Sequence, residues 1–423
     1  MTASTDTAPA VTTISRLGTL VLLAGPFLAG LDFFIVNVAL PTIQKSLGAS
    51  GGTLELVVAG YGTAYAVLLV LGGRLGDERG RRLMYGIGIA AFTLTSLAAG
   101  LAPSVPILLA ARVLQGASSA LMTPQTLATF QSVLRGPARG RAIATYAAAG
   151  GLSSVVGQLL GGVLVSTVSW RAIFLVNVPV GILALVLLRR SVPVSRSTTR
   201  VGVDVRGTVL LGLSIAGLLV PLSEGSTLGW PWWTWASLAV CVVCAALFVR
   251  WSAHAPRLGV TPLLPLALVS RARSMRRGLP VLILFFIVFG AFMFVFAIAV
   301  QDGLGLSPLA AGLAIAPVCV AYFITPFRVP GLLQRFGRRV LTVGLAVEGV
   351  GLLALVVIVR VGWHALGGAG SGASRGSTLV AAIFAVVALI IVGIGQSLGV
   401  GSLFRLVLSE VPVESAGVGG ECS

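Results

Sequence analysis

Charge is what this 423-residue chain has least of: only 10% of its residues are Asp, Glu, Lys or Arg, and Lys45 is its single lysine. Histidine occurs only at His254 and His364, and cysteine only at Cys241, Cys244, Cys319 and Cys422. These scarcities exclude several functions. Four scattered cysteines do not make a disulfide framework. The Cys-x-x-Cys formed by Cys241 and Cys244 lies in an apolar run without the further ligands that a metal site needs. Nothing resembles a phosphate-cradling nucleotide loop, so ATP-driven work is not expected. No nucleophile with a neighbouring base marks an enzyme.

What the chain does have is apolar sequence. Hydrophobic residues make up 57% of it, and the mean hydropathy of +1.03 lies far outside the soluble globular range. Runs of about 20 apolar residues, the length that crosses roughly 30 Å of hydrocarbon, recur along the whole chain. They predict an all-α polytopic membrane protein with twelve spans: Leu17–Leu40, Leu54–Leu75, Leu83–Leu101, Val105–Phe130, Ala142–Val165, Trp170–Leu188, Gly207–Leu222, Trp232–Trp251, Leu279–Val300, Leu309–Phe327, Val340–Val361 and Leu379–Val407. The first run is too long for the core of a signal peptide and lacks a basic start, so it reads as a retained helix.

The formal net charge of +17 and the pI of about 11.5 would point to nucleic acid in a soluble protein. Here the cations sort by side of the membrane. The arginine clusters at Arg74–Arg82, Arg135–Arg141, Arg189–Arg206, Arg250–Arg277 and Arg328–Arg339 fall on one side, with Lys45, Arg171, Arg360 and Arg375 on the other and Arg112 inside a span. By the positive-inside rule the N-terminus is cytoplasmic, and no nucleic-acid partner is expected.

An internal repeat is also present. Gly80-Arg81-Arg82 after the second span echoes Gly337-Arg338-Arg339 after the tenth, with Gln334 where Asp77 stands; Gln115 in the fourth span pairs with Gln396 in the twelfth. An offset of eight helices predicts a six-helix bundle over 1–190, a linker region with two extra helices over 191–276, and a second bundle over 277–423. Only four helices of that second bundle are present, so two are expected to be missing.

An ionisable side chain within a span costs several kcal/mol against lipid and usually faces a bundle interior or a water-filled cavity. Asp32 lies roughly 13 Å below the outer surface, and Arg112 lies roughly 9–13 Å deep. Their matched depth makes them neighbours if their helices meet, and a guanidinium there would tune the carboxylate's affinity for protons. Asn37 is about 140° around the helix from Asp32 and is expected to bond a neighbouring helix. Glu348 in the eleventh span faces either a cavity or a helix interface.

These stretches resemble the major facilitator superfamily, and within it the fourteen-helix drug:proton antiporters. The resemblance rests on Leu31-Asp32 with Val36-Asn37-Val38-Ala39-Leu40-Pro41 in the first span, and on Gly73, Leu75, Asp77, Arg79, Gly80, Arg81 and Arg82 after the second. It continues through Arg112, Gln115 and Gly116 in the fourth, Gly157, Gly161 and Gly162 in the fifth, and Trp170–Gly181 at the sixth. Where antiporters of this type usually carry proline after the first glycine of the fifth span, this chain has Gln158.

The resemblance implies a major facilitator fold of two pseudo-symmetric bundles, in the plasma (inner) membrane of a bacterium. It implies proton-coupled export of hydrophobic or cationic small molecules by alternating access, with no cofactor beyond the proton gradient. Asp32, Arg112, Asn37 and Gln115 would couple proton to cargo. Gly73, Asp77, Arg79, Gly80, Arg81 and Arg82 would form a cytoplasmic latch, and Gly157, Gly161 and Gly162 would let the fifth helix pack closely or bend. Glu348 and Gln396 are lesser candidates. Proton-coupled uptake and a truncated, non-transporting homologue are the alternatives, and the sequence leaves the oligomeric state open.

Overall fold

The computed structural model describes residues 14–195, 204–263, 273–337, 339–362 and 375–407. Among these, eleven helices are long and apolar enough to cross a membrane, and a shorter apolar helix covers Pro308–Ile324. The twelve expected spans are thus all helical. Large apolar side chains such as Leu94, Ile287 and Leu353 remain on the outside, an arrangement that suits hydrocarbon around them better than water.

The first six spans comprise α1 (Arg16–Leu47), α2 (Gly51–Arg79), α3 (Arg81–Gly100), α4 (Val105–Val133), α5 (Gly136–Thr167), and a sixth made of a short α6 (Ala172–Leu175) followed by α7 (Asn177–Ser191). Local chemistry sets several ends. Ser15 and Ser50 cap α1 and α2 by accepting from Gly18 N at 3.0 Å and Thr53 N at 3.1 Å, which satisfies free N–H groups of the first turns. Gly48, with φ of 63°, stops α1 in the left-handed conformation that glycine adopts cheaply.

Within this bundle α4 packs against α2 and α3, α5 against α1, and α7 against α1 and α3. Its apolar interior lies in two layers, one around Leu22, Tyr85, Phe92 and Phe130 and the other around Ile35, Leu40, Ile43 and Phe174. The buried Tyr85 hydroxyl donates to the Val21 carbonyl and accepts from Gly25 N at 3.0 Å. Its polar tip is therefore satisfied without water.

Two further helices, α8 (Val205–Leu228) and α9 (Trp232–His254), pack on each other, and α8 lies along α2. They are tied to the first bundle by a knot of charge. Arg74 of α2 donates to the carbonyls of Thr261 and Pro262 at 2.7 and 2.8 Å. Asp204, the cap of α8, accepts from Gly207 N, Trp251 Nε1 and Leu263 N at 2.7–2.8 Å. Arg74, read from sequence as one more inside positive charge, is thus also a structural anchor.

The remaining spans are α10 (Arg273–Ile298), which ends in a π turn over Ala299–Gly303, then α11 (Pro308–Ile324), a short α12 (Val329–Phe336), α13 (Arg339–Gly362) and α14 (Arg375–Val407). Here α14 packs against α10, α11 and α13. Gly80, which follows α2, and Gly337, which follows α12, both hold positive φ, 107° and 54°. Arg338, part of the echoed motif, lies outside the described residues, as does everything beyond Val407.

The two halves meet chiefly where α11 lies on α5, with α1 against α10 and α11. At the end that carries Lys45, Gln301 Nε2 donates to Val38 O at 3.0 Å, Leu309 N donates to Ser166 Oγ at 2.9 Å, and Lys45 Nζ pairs with Asp302 at 3.3 Å.

Candidate functional site

Asp32 has no exposed surface. It lies inside the first bundle, where α4 and α7 converge on α1. Arg112 Nη1 of α4 donates to Asp32 Oδ2. The other carboxylate oxygen, Oδ1, accepts from Gln115 Nε2 at 2.8 Å and from Asn177 Nδ2 of α7 at 2.9 Å. Ser96 of α3 accepts from the same Gln115 nitrogen at 2.7 Å and from Asn177 Nδ2 at 3.4 Å. Every residue of this group is fully buried.

Arg112 is held from its other sides too. Its Nη1 also reaches Gln115 Oε1 at 2.8 Å and its Nε the Val57 carbonyl at 3.3 Å. The guanidinium carbon stands 4.3 Å from the centre of the Tyr61 ring, a cation–π contact in a desolvated place. Tyr61 in turn donates to the Ala29 carbonyl at 2.9 Å and lies 2.9 Å from Ser119 Oγ. Five helices therefore contribute to one closed polar network. A buried ion pair repays its desolvation only when such hydrogen bonds surround it. Arg112 Nη2 and Asn177 Oδ1 have no hydrogen-bond partner among the described residues.

The sequence-predicted residues divide into separate places. Asp32, Arg112 and Gln115 come together, and sequence reasoning missed Asn177 and Ser96 beside them. Asn177 carried the same signal as Asp32, a polar side chain in an apolar run, within the Trp170–Gly181 stretch. Asn37 points elsewhere. Its Nδ2 turns back to the Phe33 and Phe34 carbonyls of its own helix, at 3.4 Å each, rather than bonding a neighbouring helix as expected. An amide within a helix can satisfy its N–H groups on the carbonyls one turn back.

Asn37 and Gln396 both line the seam between the halves. One slot there is bounded by Asn37, Gln158, Gln301 and Met293, and another by Phe34, Ser154, Tyr322 and Gln396; each has about 10 Å³ of free space, the room of one water. The seam is thus closed around polar side chains. Glu348 faces a different space, a groove of about 290 Å³ between α10 and α13 lined by Leu284, Phe285, Val288 and Leu352. Gln396 is the polar neighbour of Glu348, but Glu348 Oε1 and both polar atoms of Gln396 lack a hydrogen bond among the described residues.

At the predicted latch, Asp77 Oδ1 accepts from Arg81 Nη2 and Nε at 2.8 and 3.1 Å. Arg81 also donates to Ala128 O of α4 at 3.0 Å, and Arg82 to Val192 O after α7 at 3.1 Å. Asp77 and its arginines therefore join α2, α3, α4 and the end of α7, all within the first bundle. The close approach of α2 to α4 belongs to Gly72 and Gly76, which face Ala120 and Gln125, whereas Gly73 meets only Pro124, at ordinary distance.

The glycines of α5 serve two partners. A Cβ at Gly157 or Gly161 would stand 3.0 Å from atoms of Leu31 or Ile35 in α1, and one at Gly162 would stand 2.9 Å from the Pro308 carbonyl in α11.

The Major Facilitator Superfamily model matches residues 22–207, which include all five members of the Asp32 cluster. The chain is 31% identical over 402 residues to the probable actinorhodin transporter of Streptomyces coelicolor, covering 94% of this chain and 67% of that protein. It is 32% identical over 397 residues to the multidrug resistance protein Stp of Mycobacterium tuberculosis, covering 93% and 70%. The puromycin resistance protein of Streptomyces alboniger is 35% identical over 347 residues, or 80% and 67%.

Among solved structures, a peptide transporter in complex with sulfate aligns with a TM-score of 0.58 at 13% identity over 91% of this chain and 87% of that one. A proton:xylose symporter aligns at 0.57 and 17% identity, over 96% and 83%. These are likenesses of fold, and the sequence shared with the family model and with these relatives places this chain in the major facilitator superfamily.

Proposed function

We propose that the protein is a secondary active transporter that exports hydrophobic or cationic small molecules, driven by protons, through alternating access. The observation that carries this reading is the Asp32 carboxylate, sealed inside the first bundle against Arg112, Gln115 and Asn177. A carboxylate so placed exchanges a proton only when the surrounding helices part, and that requirement ties protonation to conformation. The relatives' names, which speak of multidrug resistance, puromycin resistance and actinorhodin transport, support export of small molecules.

In this reading Asp32 takes up and releases the proton, Arg112 neutralises the ionised state, and Gln115, Asn177 and Ser96 orient the carboxylate. Cargo sits at the seam, where Asn37, Gln396, Phe34 and Tyr322 would line it once the halves separate, and Glu348 supplies a second carboxylate behind Gln396. The Asp77–Arg81 pair fixes the inner ends of α2, α3 and α4 as one unit during the motion. The orientation is N-terminus cytoplasmic, on the strength of the arginine distribution. Residues 1–190, 191–276 and 277–423 act as first bundle, linker pair and second bundle.

The test is transport in proteoliposomes under an imposed pH gradient of either sign, with Asp32→Asn beside the parent. Export requires cargo to move against the direction of proton flow. Movement with the protons establishes uptake instead, and movement unaffected by an uncoupler overturns proton coupling.

A further inference from the structure

A large cavity in the described part of the molecule belongs to none of the residues assigned to cargo. It is a groove of about 960 Å³ between α3 and α7, at the upper end of ligand-pocket sizes of ~300–1,000 Å³. Its chemistry changes along its length. At one end stand Arg79, Arg82 and Arg189; further along, Ile87, Ala90, Leu185 and Val186 form an apolar wall. From Arg82 to Ala90 the groove follows α3 for about 12 Å.

The basic end is short of anionic partners. The side chains of Arg79 and Arg189 make no hydrogen bond or ion pair among the described residues, and Arg82 spends one nitrogen on the Val192 carbonyl. Asp77, the nearby carboxylate, is held by Arg81. Glu78, next to Arg79 in sequence, is exposed and does not line the groove. Gly80 lines the same rim and caps α3 without any side-chain hydrogen bond, while Arg81 N donates to the Ser195 carbonyl at 3.1 Å, so the positive end of that helix lies at the rim with its first N–H taken.

Three guanidinium groups and a helix N-terminus at one end, with an apolar trough running toward the membrane interior, match one kind of molecule in both charge and shape. We propose that this groove binds an anionic phospholipid, its phosphate among Arg79, Arg82 and Arg189 and an acyl chain along Ile87, Ala90 and Val186. Arginine forks suit phosphate oxygens, and basic pockets between spans at the membrane surface recognise anionic headgroups. The phosphate would rest on Arg79 and Gly80, so the lipid is placed to set the conformation of the helix junction that Asp77 braces. This inference does not depend on the cargo or on proton coupling.

The experiment is lipid titration of the purified full chain by native mass spectrometry, using phosphatidylglycerol and phosphatidylcholine. The parent should retain phosphatidylglycerol preferentially. Arg189→Gln should weaken it about fivefold, and Arg79→Gln with Arg189→Gln about fivefold again. Ala90→Trp, which fills the trough without altering charge, should also expel the lipid, whereas Arg250→Gln on α9 should have no effect. Equal retention of both lipids, an equal loss with Arg250→Gln, or retention unchanged by both Arg189→Gln and Ala90→Trp would overturn the proposal. Displacement of the lipid by millimolar inorganic phosphate would overturn it too, since that would mark a site for the soluble anion.

Discussion

Asn177 Nδ2 lies 2.9 Å from Asp32 Oδ1, joining residues 145 positions apart in sequence. That contact closes the cluster on the α7 side, and a hydrogen bond to a charged group contributes roughly 1.5–3 kcal/mol. Asn177→Ala should therefore lower stability by about 1–3 kcal/mol, read as an earlier thermal unfolding transition in detergent. Unchanged stability would mean that the amide adds nothing to the carboxylate.

Asp32→Asn should be more damaging, because it strands the Arg112 charge in a closed site. Removing one partner of a buried pair costs about 3–5 kcal/mol. The double variant Asp32→Asn with Arg112→Gln should recover part of that loss, and a double-mutant cycle measures the coupling. Strictly additive effects would contradict the buried pair.

Two glycines of α5 should respond in opposite ways. At Gly150 an added Cβ meets nothing within 4 Å, so Gly150→Ala should be neutral or gain up to about 1 kcal/mol of helix stability. At Gly161 it would press on Ile35, and Gly161→Val should cost about 1–3 kcal/mol from overpacking. The pair is compared by urea or thermal unfolding of the purified variants.

Lys45 and Asp302 form a contact between the halves, with side chains 78% and 36% exposed. Lys45→Ala should shift stability by less than about 1 kcal/mol. Their proximity has a stronger readout: Lys45→Cys with Asp302→Cys should be joined by a short bifunctional thiol reagent, and the joined protein should cease to transport. Free transport after complete cross-linking would show that this end does not open during the cycle.

Much of this architecture could be read from sequence, for physical reasons that differ by residue. The spans follow from hydrocarbon thickness, which leaves a signal of fixed length in any helix that crosses it. Asp32 and Arg112 could be paired because a depth along a helix axis is a count of residues. Rotation about the axis was harder, since it depends on which helix lies opposite. Asn37 was therefore expected to reach a neighbour and instead bonds Phe33 and Phe34 of its own turn.

Ser96 gave no signal at all, because serine within a span commonly satisfies itself on the preceding turn. The glycine pattern of α5 was plain, but its division between α1 and α11 needed the three-dimensional arrangement. The groove between α3 and α7 was equally invisible, for its arginines stand at helix ends that the sequence keeps about a hundred residues apart.

The contact between Gly162 of α5 and Gly312 of α11 bears on how the halves move. A Cβ at Gly312 would fall 2.7 Å from the Gln158 carbonyl and 3.5 Å from the Gly162 Cα, so backbone rides on backbone there without interlocked side chains. Such a face behaves as a plain bearing. Sliding across it unlocks no knobs from holes, and the friction of the transport stroke shifts to the small set of polar fastenings at its rim.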